Sequence, residues 1–137
     1  MEKTIKKISL AIFVLFIMAF IPTFAAAGTI EGTIQGFKCV TEGKTCPVGM
    51  EDPMAAVERV FVVLTSGKDY YFVPNMDRAV MARHINDRVR VSGNVHPNFP
   101  SIEANTLEVF SRGAWRTTWT FSWQKRIEDD LKNIMVY

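Results

Sequence analysis

The chain that follows the first 27 residues is predicted to form one small, mainly β domain, built as a five-stranded antiparallel barrel with a short helix. Three observations predict this class. Apolar and polar residues alternate in several short segments, as in half-buried strands. Segments rich in glycine, proline and asparagine separate them, as turns do. Residues 28–137 also have the size of one domain, since domains are typically about 100–150 residues long.

Residues 1–27 have the parts of a secretory signal peptide in the usual order. Basic residues come first, an apolar run covers residues 8–21, and Pro22 and the alanines at 25–27 follow. We therefore expect cleavage after Ala27 and a periplasmic or secreted protein. The alternative is a retained membrane anchor, because residues 8–27 are about as long as the roughly 20 residues of a spanning helix.

Removing the leader changes the charge balance. The chain has 16 basic and 14 acidic residues, and three lysines and one glutamate lie in the leader, so 13 of each remain. Nucleic-acid binding depends on clustered basic residues that neutralise phosphates. A balanced chain lacks that excess, so we expect no nucleic-acid partner, and membrane association only if the leader is kept as an anchor.

The predicted elements follow one another with short turns between most of them. Alternation in the first strand includes Gly32 and Gly36, which suggests a bend or bulge. A helix after the third strand is predicted from apolar residues at helical spacing, with Asn75 as its N-cap. The predicted strands are residues 29–37, 59–65, 70–74, 88–95 and 101–110.

Five strands with a helix between the third and the fourth is the order of the OB fold, a small Greek-key barrel. Other small barrels are compatible with the same periodicity. Such barrels bind ligands on the face of strands two and three, between two loops. Here that position corresponds to Tyr70 and Phe72, which share a face opposite Tyr71, with loop 39–46 and turn 97–100 on either side.

The two cysteines of the chain, Cys39 and Cys46, both lie after the leader. In an oxidising compartment such a pair is expected to form a disulfide. A metal or redox site is the alternative, although six intervening residues match no common motif for either. His84 and His96 are the only histidines, and their spacing predicts no zinc site with the cysteines. We predict no catalytic residue, no metal and no cofactor.

Several motifs of residues 30–110 resemble small extracytoplasmic OB-fold domains. The chain is similar in layout to the bacterial OB-fold family of periplasmic stress-associated proteins, and to exported domains that pair cysteines in their first loop. The resemblance implies an extracytoplasmic binding or accessory module, and it transfers no catalytic residue. The motifs that carry it are Gly32 to Ile34, Val62 to Tyr70, Arg88 to Val95 and Ile102 to Ala104.

The C-terminal extension, residues 112–137, departs from that pattern. Positions 115, 117, 119, 121 and 123 are Trp, Thr, Trp, Phe and Trp, and polar residues lie between them. This alternation predicts a strand with one aromatic face that contains Trp115, Trp119 and Trp123. The spacing of four would also align them on a helix, and the threonines between them favour the strand. This face could cover the chain's own barrel or terminal helix, bind a partner, or bind a small ligand.

From Gln124 onward, apolar residues recur on one side of an amphipathic helix that includes Ile127, Leu131, Ile134 and Met135. With residues 28–111 as the barrel, the sequence therefore predicts an exported, non-catalytic binding module. Its expected partner is a protein of the cell envelope, bound through Tyr70, Phe72, Trp115, Trp119 and Trp123. The alternative is a small-ligand or metal-handling protein that uses the Cys39–Cys46 loop.

Overall fold

The computed structural model describes residues 26–134, so the predicted leader lies outside them except for its last two alanines. No helix in this part of the chain has the length and apolar character needed to cross a membrane. The strands are β1 (Ala26–Gly36), β2 (Phe61–Leu64), β3 (Tyr70–Tyr71), β4 (Arg88–Val95), β5 (Ile102–Ser111) and β6 (Ala114–Thr120). The helices are α1 (Phe37–Thr41), α2 (Glu51–Val57), α3 (Arg78–Ala82) and α4 (Phe121–Ile134).

The six strands form one antiparallel sheet in the order β3-β2-β1-β4-β5-β6. Strand β1 is long enough to pair with two neighbours, with β4 along its first part and with β2 along its last. Thr33 is the residue at which it pairs with both strands. Ala26 and Ala27 pair with β4, so cleavage after Ala27 would make β1 begin at Gly28.

The predicted mainly β class and the C-terminal helix are confirmed, but the sheet has six strands and is not closed. Strand β3 is two residues long, and Phe72 after it meets Ser101 in one parallel bridge. Phe72 N–H donates to the carbonyl of Pro100 at 2.8 Å, and Ile102 N–H donates to the carbonyl of Phe72 at 2.9 Å. This bridge connects the two sides of the sheet at one position instead of along a ladder.

The hydrophobic core lies on one side of the sheet. The strands supply most of it, and Met81 of α3 and Ile85 after it are buried in the same cluster. The segment that joins β3 to β4 therefore packs these apolar residues against the sheet. The fully buried strand residues of this cluster include Ile34, Val63, Val89, Val91, Ile102 and Leu107.

The sequence predicted Asn75 as the N-cap of α3, but Asn75 does not cap this helix. Asp77 is the N-cap, and its carboxylate accepts a hydrogen bond from Ala79 N–H at 2.6 Å. The side chain of Asn75 is used elsewhere, because its amide donates to the carbonyl of Ala104 and accepts from Ala104 N–H, both at 2.8 Å. Asn75 therefore pairs with the backbone of β5, as a strand residue would.

Candidate binding surfaces

The predicted aromatic row of the C-terminal extension is divided between two elements. Trp115 and Trp119 lie on β6, whereas Trp123 lies in the first turns of α4. The strand ends at Thr120, whose hydroxyl accepts a hydrogen bond from Trp123 N–H at 3.2 Å. Such a contact satisfies one of the free amides at a helix start. Both structures that the spacing allowed are thus present, one after the other.

Even the two tryptophans of β6 do not share a face. Leu107 of β5 pairs with Trp119, but the next residue, Glu108, pairs with Thr117, so Thr118 is an extra residue in β6. A β-bulge of this kind shifts the alternation of side chains by one position. Trp119 therefore points to the core and is 5% exposed, while Trp115 lies on the outer side with Phe110.

Trp119 is a core residue with a satisfied polar atom. Its indole N–H donates to the side-chain carbonyl of Gln124 at 3.0 Å, which connects the end of the sheet to the start of α4. Buried tryptophans usually have such a partner. This position leaves little of Trp119 available to a partner protein.

Trp115 is surrounded by arginines on the outer side of the sheet. The guanidinium carbon of Arg90 lies 4.1 Å from the centroid of its ring, and that of Arg88 lies 5.4 Å away. Both arginines also contact the carboxylate of Glu31. The pKa of this carboxyl lies below its usual range, and the hydrogen bond from Arg88 is the main cause. Cation–π contacts and ion pairs thus hold Trp115 within the outer face.

Trp123 begins an apolar stripe along α4, which also contains Ile127, Leu131 and Ile134. The four residues are 47%, 59%, 52% and 69% exposed, and α4 has no buried residue. Their spacing places them on one side of the helix. A groove of about 390 Å³ between α4 and α3 includes Trp123, Ile127 and Val80 in its lining. Within residues 26–134, other parts of the chain leave about half or more of each stripe side chain exposed.

Tyr70 and Phe72 share a face, as predicted. Their ring centroids are 5.7 Å apart, while Tyr71 packs against the core. Phe37 at the start of α1 completes an aromatic cluster, with its centroid 5.6 Å from that of Tyr70 and 5.2 Å from that of Phe72. Sequence reasoning missed Phe37, because only the pairing of β1 with β2 and of β2 with β3 brings it there.

An open groove of about 670 Å³ lies between Tyr70 and turn 97–100. His96 and Phe99 belong to its lining, and Lys68 and Asp69 of the β2–β3 turn form another part of it. His96 supports the turn, since its Nδ1 accepts hydrogen bonds from Asn98 N–H and Phe99 N–H, both at 3.2 Å. Of the two predicted flanking loops, the structure brings turn 97–100 to this groove, whereas loop 39–46 is not part of its lining.

Cys39 and Cys46 are adjacent as free thiols, with their Sγ atoms 3.7 Å apart. Cys46 is 1% exposed, and its sulfur accepts a hydrogen bond from Gly36 N–H at 3.1 Å. Burial, followed by the hydrogen bond with Cys46, raises the pKa of Cys39 to about 11. Because the thiolate is the form that binds metals and attacks disulfides, reduced Cys39 is a weak nucleophile near neutral pH.

The predicted disulfide gives a testable outcome. The two sulfur atoms need to approach from 3.7 Å to about 2.05 Å to form a bond. We expect the protein recovered from an oxidising compartment to resist alkylation until it is reduced, and the bond to add about 2–3 kcal/mol to the free energy of unfolding. Intact mass after alkylation, and urea unfolding with and without reductant, measure both effects.

The double variant Cys39→Ser with Cys46→Ser is the control, since reductant should leave its unfolding midpoint unchanged. Two alkylatable thiols together with a stoichiometric bound metal in the isolated protein would contradict the disulfide and support the metal-handling alternative. Among residues 26–134, no three His, Cys, Asp or Glu side chains are grouped so that they could hold a metal ion.

Within the part of the chain that the structure describes, neither histidine belongs to a group of potential metal ligands with the cysteines. His84 Nδ1 lies 3.0 Å from a carboxylate oxygen of Asp87, in the turns between α3 and β4. The side chain of His96 bonds to the backbone of its own turn, as described above.

Comparison of the chain with protein-family models, curated proteins and solved structures finds no match.

Proposed function

We propose that this protein is an exported, non-catalytic module that binds a protein of the cell envelope, and that the apolar stripe of α4 is its binding face. The observation that carries this proposal is the exposure of Trp123, Ile127, Leu131 and Ile134 on one side of one helix. A continuous exposed apolar surface typically marks an interaction site. Amphipathic helices bind partners through residues at this spacing.

The export part of the proposal rests on the leader and on the charge balance. A chain cut after Ala27 would carry 13 basic and 13 acidic residues, which supports neither a nucleic-acid partner nor a strongly anionic one. The intact mass measured for the disulfide also tests the cleavage. Retention of Met1 would add the whole mass of residues 1–27 and would favour the membrane anchor instead.

We further propose that the domain is a variant of the OB barrel. Support comes from the order of the first five strands, from the position of α3 between β3 and β4, and from the bridge between Phe72 and Ser101. On this interpretation, the sixth strand is an addition to one edge. A crystal structure in which the β3 and β5 segments stay apart would contradict the barrel.

The binding face can be tested in cells by site-specific photo-crosslinking. A photoreactive residue at Ile127 is expected to form a protein adduct, whereas the same residue at Asp129 is not, because Asp129 lies on the opposite side of α4. The readout is the mass of the adduct. Equal adducts from both positions, or none from either, would contradict the proposed face.

A small-ligand protein is the second candidate, and the open groove beside Tyr70 and Phe99 is the observation that favours it. The two candidates differ in which variant loses binding. Leu131→Asp should abolish the adduct formed by the photoreactive residue at position 127 if α4 is the binding face, and Tyr70→Ala should not. A small molecule that accompanies the purified protein and is lost in Tyr70→Ala would favour the second candidate.

A further inference from the structure

The polar residues that border the apolar stripe of α4 differ in charge between its two sides. A helix turns by about 100° per residue, so Arg126 and Asp130 border the stripe on one side, and Gln124 and Glu128 border it on the other. Gln124 donates to the carboxylate of Glu128 at 2.8 Å. Arg126 and Asp130 are both exposed, and neither forms a salt bridge with a partner among residues 26–134.

Apolar and charged residues are arranged so that the stripe is complementary to itself. In an antiparallel pair of α4 helices related by a twofold axis, residues on the same side of each stripe become neighbours. If the axis passes midway between Ile127 and Leu131, then Ile127 faces Leu131 of the second copy, and Trp123 lies within one position, or about 1.5 Å, of Ile134 along the axis. All four stripe residues then contact apolar partners.

The same register places Arg126 beside Asp130 of the second copy, and the twofold axis repeats the pair. The two residues would differ by two positions along the axis, or about 3 Å. A parallel pair would instead place Glu128 of the second copy two positions from both Arg126 and Asp130, so that its attraction to one and its repulsion from the other would offset each other. Charge complementarity of this kind selects the partner and the orientation of an interface.

We propose that α4 binds a second copy of this chain in an antiparallel arrangement, with Arg126 and Asp130 paired across the twofold axis. The inference rests on the proposed function of the stripe as a binding face, and it names the protein that binds there. Such an isologous contact is the commonest way for identical chains to assemble. One helix per chain makes a small interface, so we expect a Kd in the micromolar range.

Two opposite charge reversals provide the test, with sedimentation velocity of the protein as recovered from the cell as the measurement. The wild type should be dimeric at about 300 µM, well above a micromolar Kd. Arg126→Asp and Asp130→Arg should each weaken association at least about tenfold, since each brings like charges together. An equimolar mixture of the two variants should associate again, because unlike charges then meet at both pairs.

Lys125→Asp is the matched control. It changes the charge as Arg126→Asp does, at the neighbouring residue, but on the side of α4 that faces away from the stripe. It should leave the Kd unchanged. All variants change exposed residues, and circular dichroism checks that α4 is retained.

A wild-type protein that stays monomeric at about 300 µM, well above a micromolar Kd, would overturn the second copy as partner. So would a mixture that associates no better than either variant alone. Crosslinking at Ile127 separates this failure from that of the proposed function. An adduct of twice the chain mass supports both, an adduct with another protein supports only the binding face and contradicts the dimer, and the absence of any adduct contradicts both.

Discussion

Replacement of Trp119 by alanine is expected to lower the free energy of unfolding by about 3–5 kcal/mol, the usual cost of removing a buried tryptophan. The ring lies against the core opposite Leu107, and the indole N–H has its partner in Gln124. The variant loses apolar contacts, leaves a cavity, and deprives the side chain of Gln124 of its donor. Urea unfolding followed by circular dichroism measures the change.

The other two tryptophans serve as internal controls for this prediction. Trp123→Ala should cost less than about 1 kcal/mol, because the side chain is half exposed and lies on a helix with no buried residue. Trp115→Ala should cost an intermediate amount, through its contacts with Phe110 and Arg90. Equal losses for Trp119 and Trp123 would mean that α4 packs on the body of the protein. That result would also remove the basis of the proposed binding face.

Replacement of Gly93 by alanine is expected to cost at least about 2–3 kcal/mol, as overpacking of a tight contact does. Gly93 lies at a register shift of β4, opposite Ala104 of β5. A Cβ atom at Gly93 would lie 2.8 Å from the carbonyl carbon of Glu103 and 2.9 Å from the Cα of Ala104. Because these are backbone atoms in a paired strand, they cannot move aside without opening the ladder.

Gly67→Ala is the matched control, in the turn between β2 and β3. The nearest atom to a Cβ there is Oδ2 of Asp69 at 3.6 Å, an ordinary van der Waals contact. Its stability should stay within about 0.5 kcal/mol of the wild type. Thermal unfolding of both variants measures the difference between their midpoints. Equal midpoints for Gly93→Ala and Gly67→Ala would refute the close approach of β4 and β5.

The candidate surfaces show what local periodicity predicts correctly and what it does not. Alternation placed Tyr70 and Phe72 on one face opposite Tyr71, and the structure agrees, because no bulge interrupts that short segment. The same reasoning placed Trp115 and Trp119 on one face and was wrong, because Thr118 is a bulge residue. A bulge depends on how β5 pairs with β6, and periodicity within β6 does not contain that information.

The sequence pattern also did not predict contacts between distant segments of the chain. Phe37 was assigned to the end of the first strand, yet it completes the cluster with Tyr70 and Phe72. Asn75 is of a residue type that is common at helix N-caps, yet its amide pairs with the backbone of Ala104. Each of these side chains had a local role available, and a partner more than 25 residues away in sequence decided its actual role.

The sequence alone determined the features that depend on neighbouring residues. These are the five short strands of the first part, the apolar side of the C-terminal helix and the balance of charge in residues 28–137, since each follows from spacing or composition within one segment. The tertiary structure decided the addition of β6 to the sheet, the burial of Trp119 and the exposure of the α4 stripe. Burial depends on what packs against a side chain, and strand pairing across the sheet, which no single segment specifies, determines those neighbours.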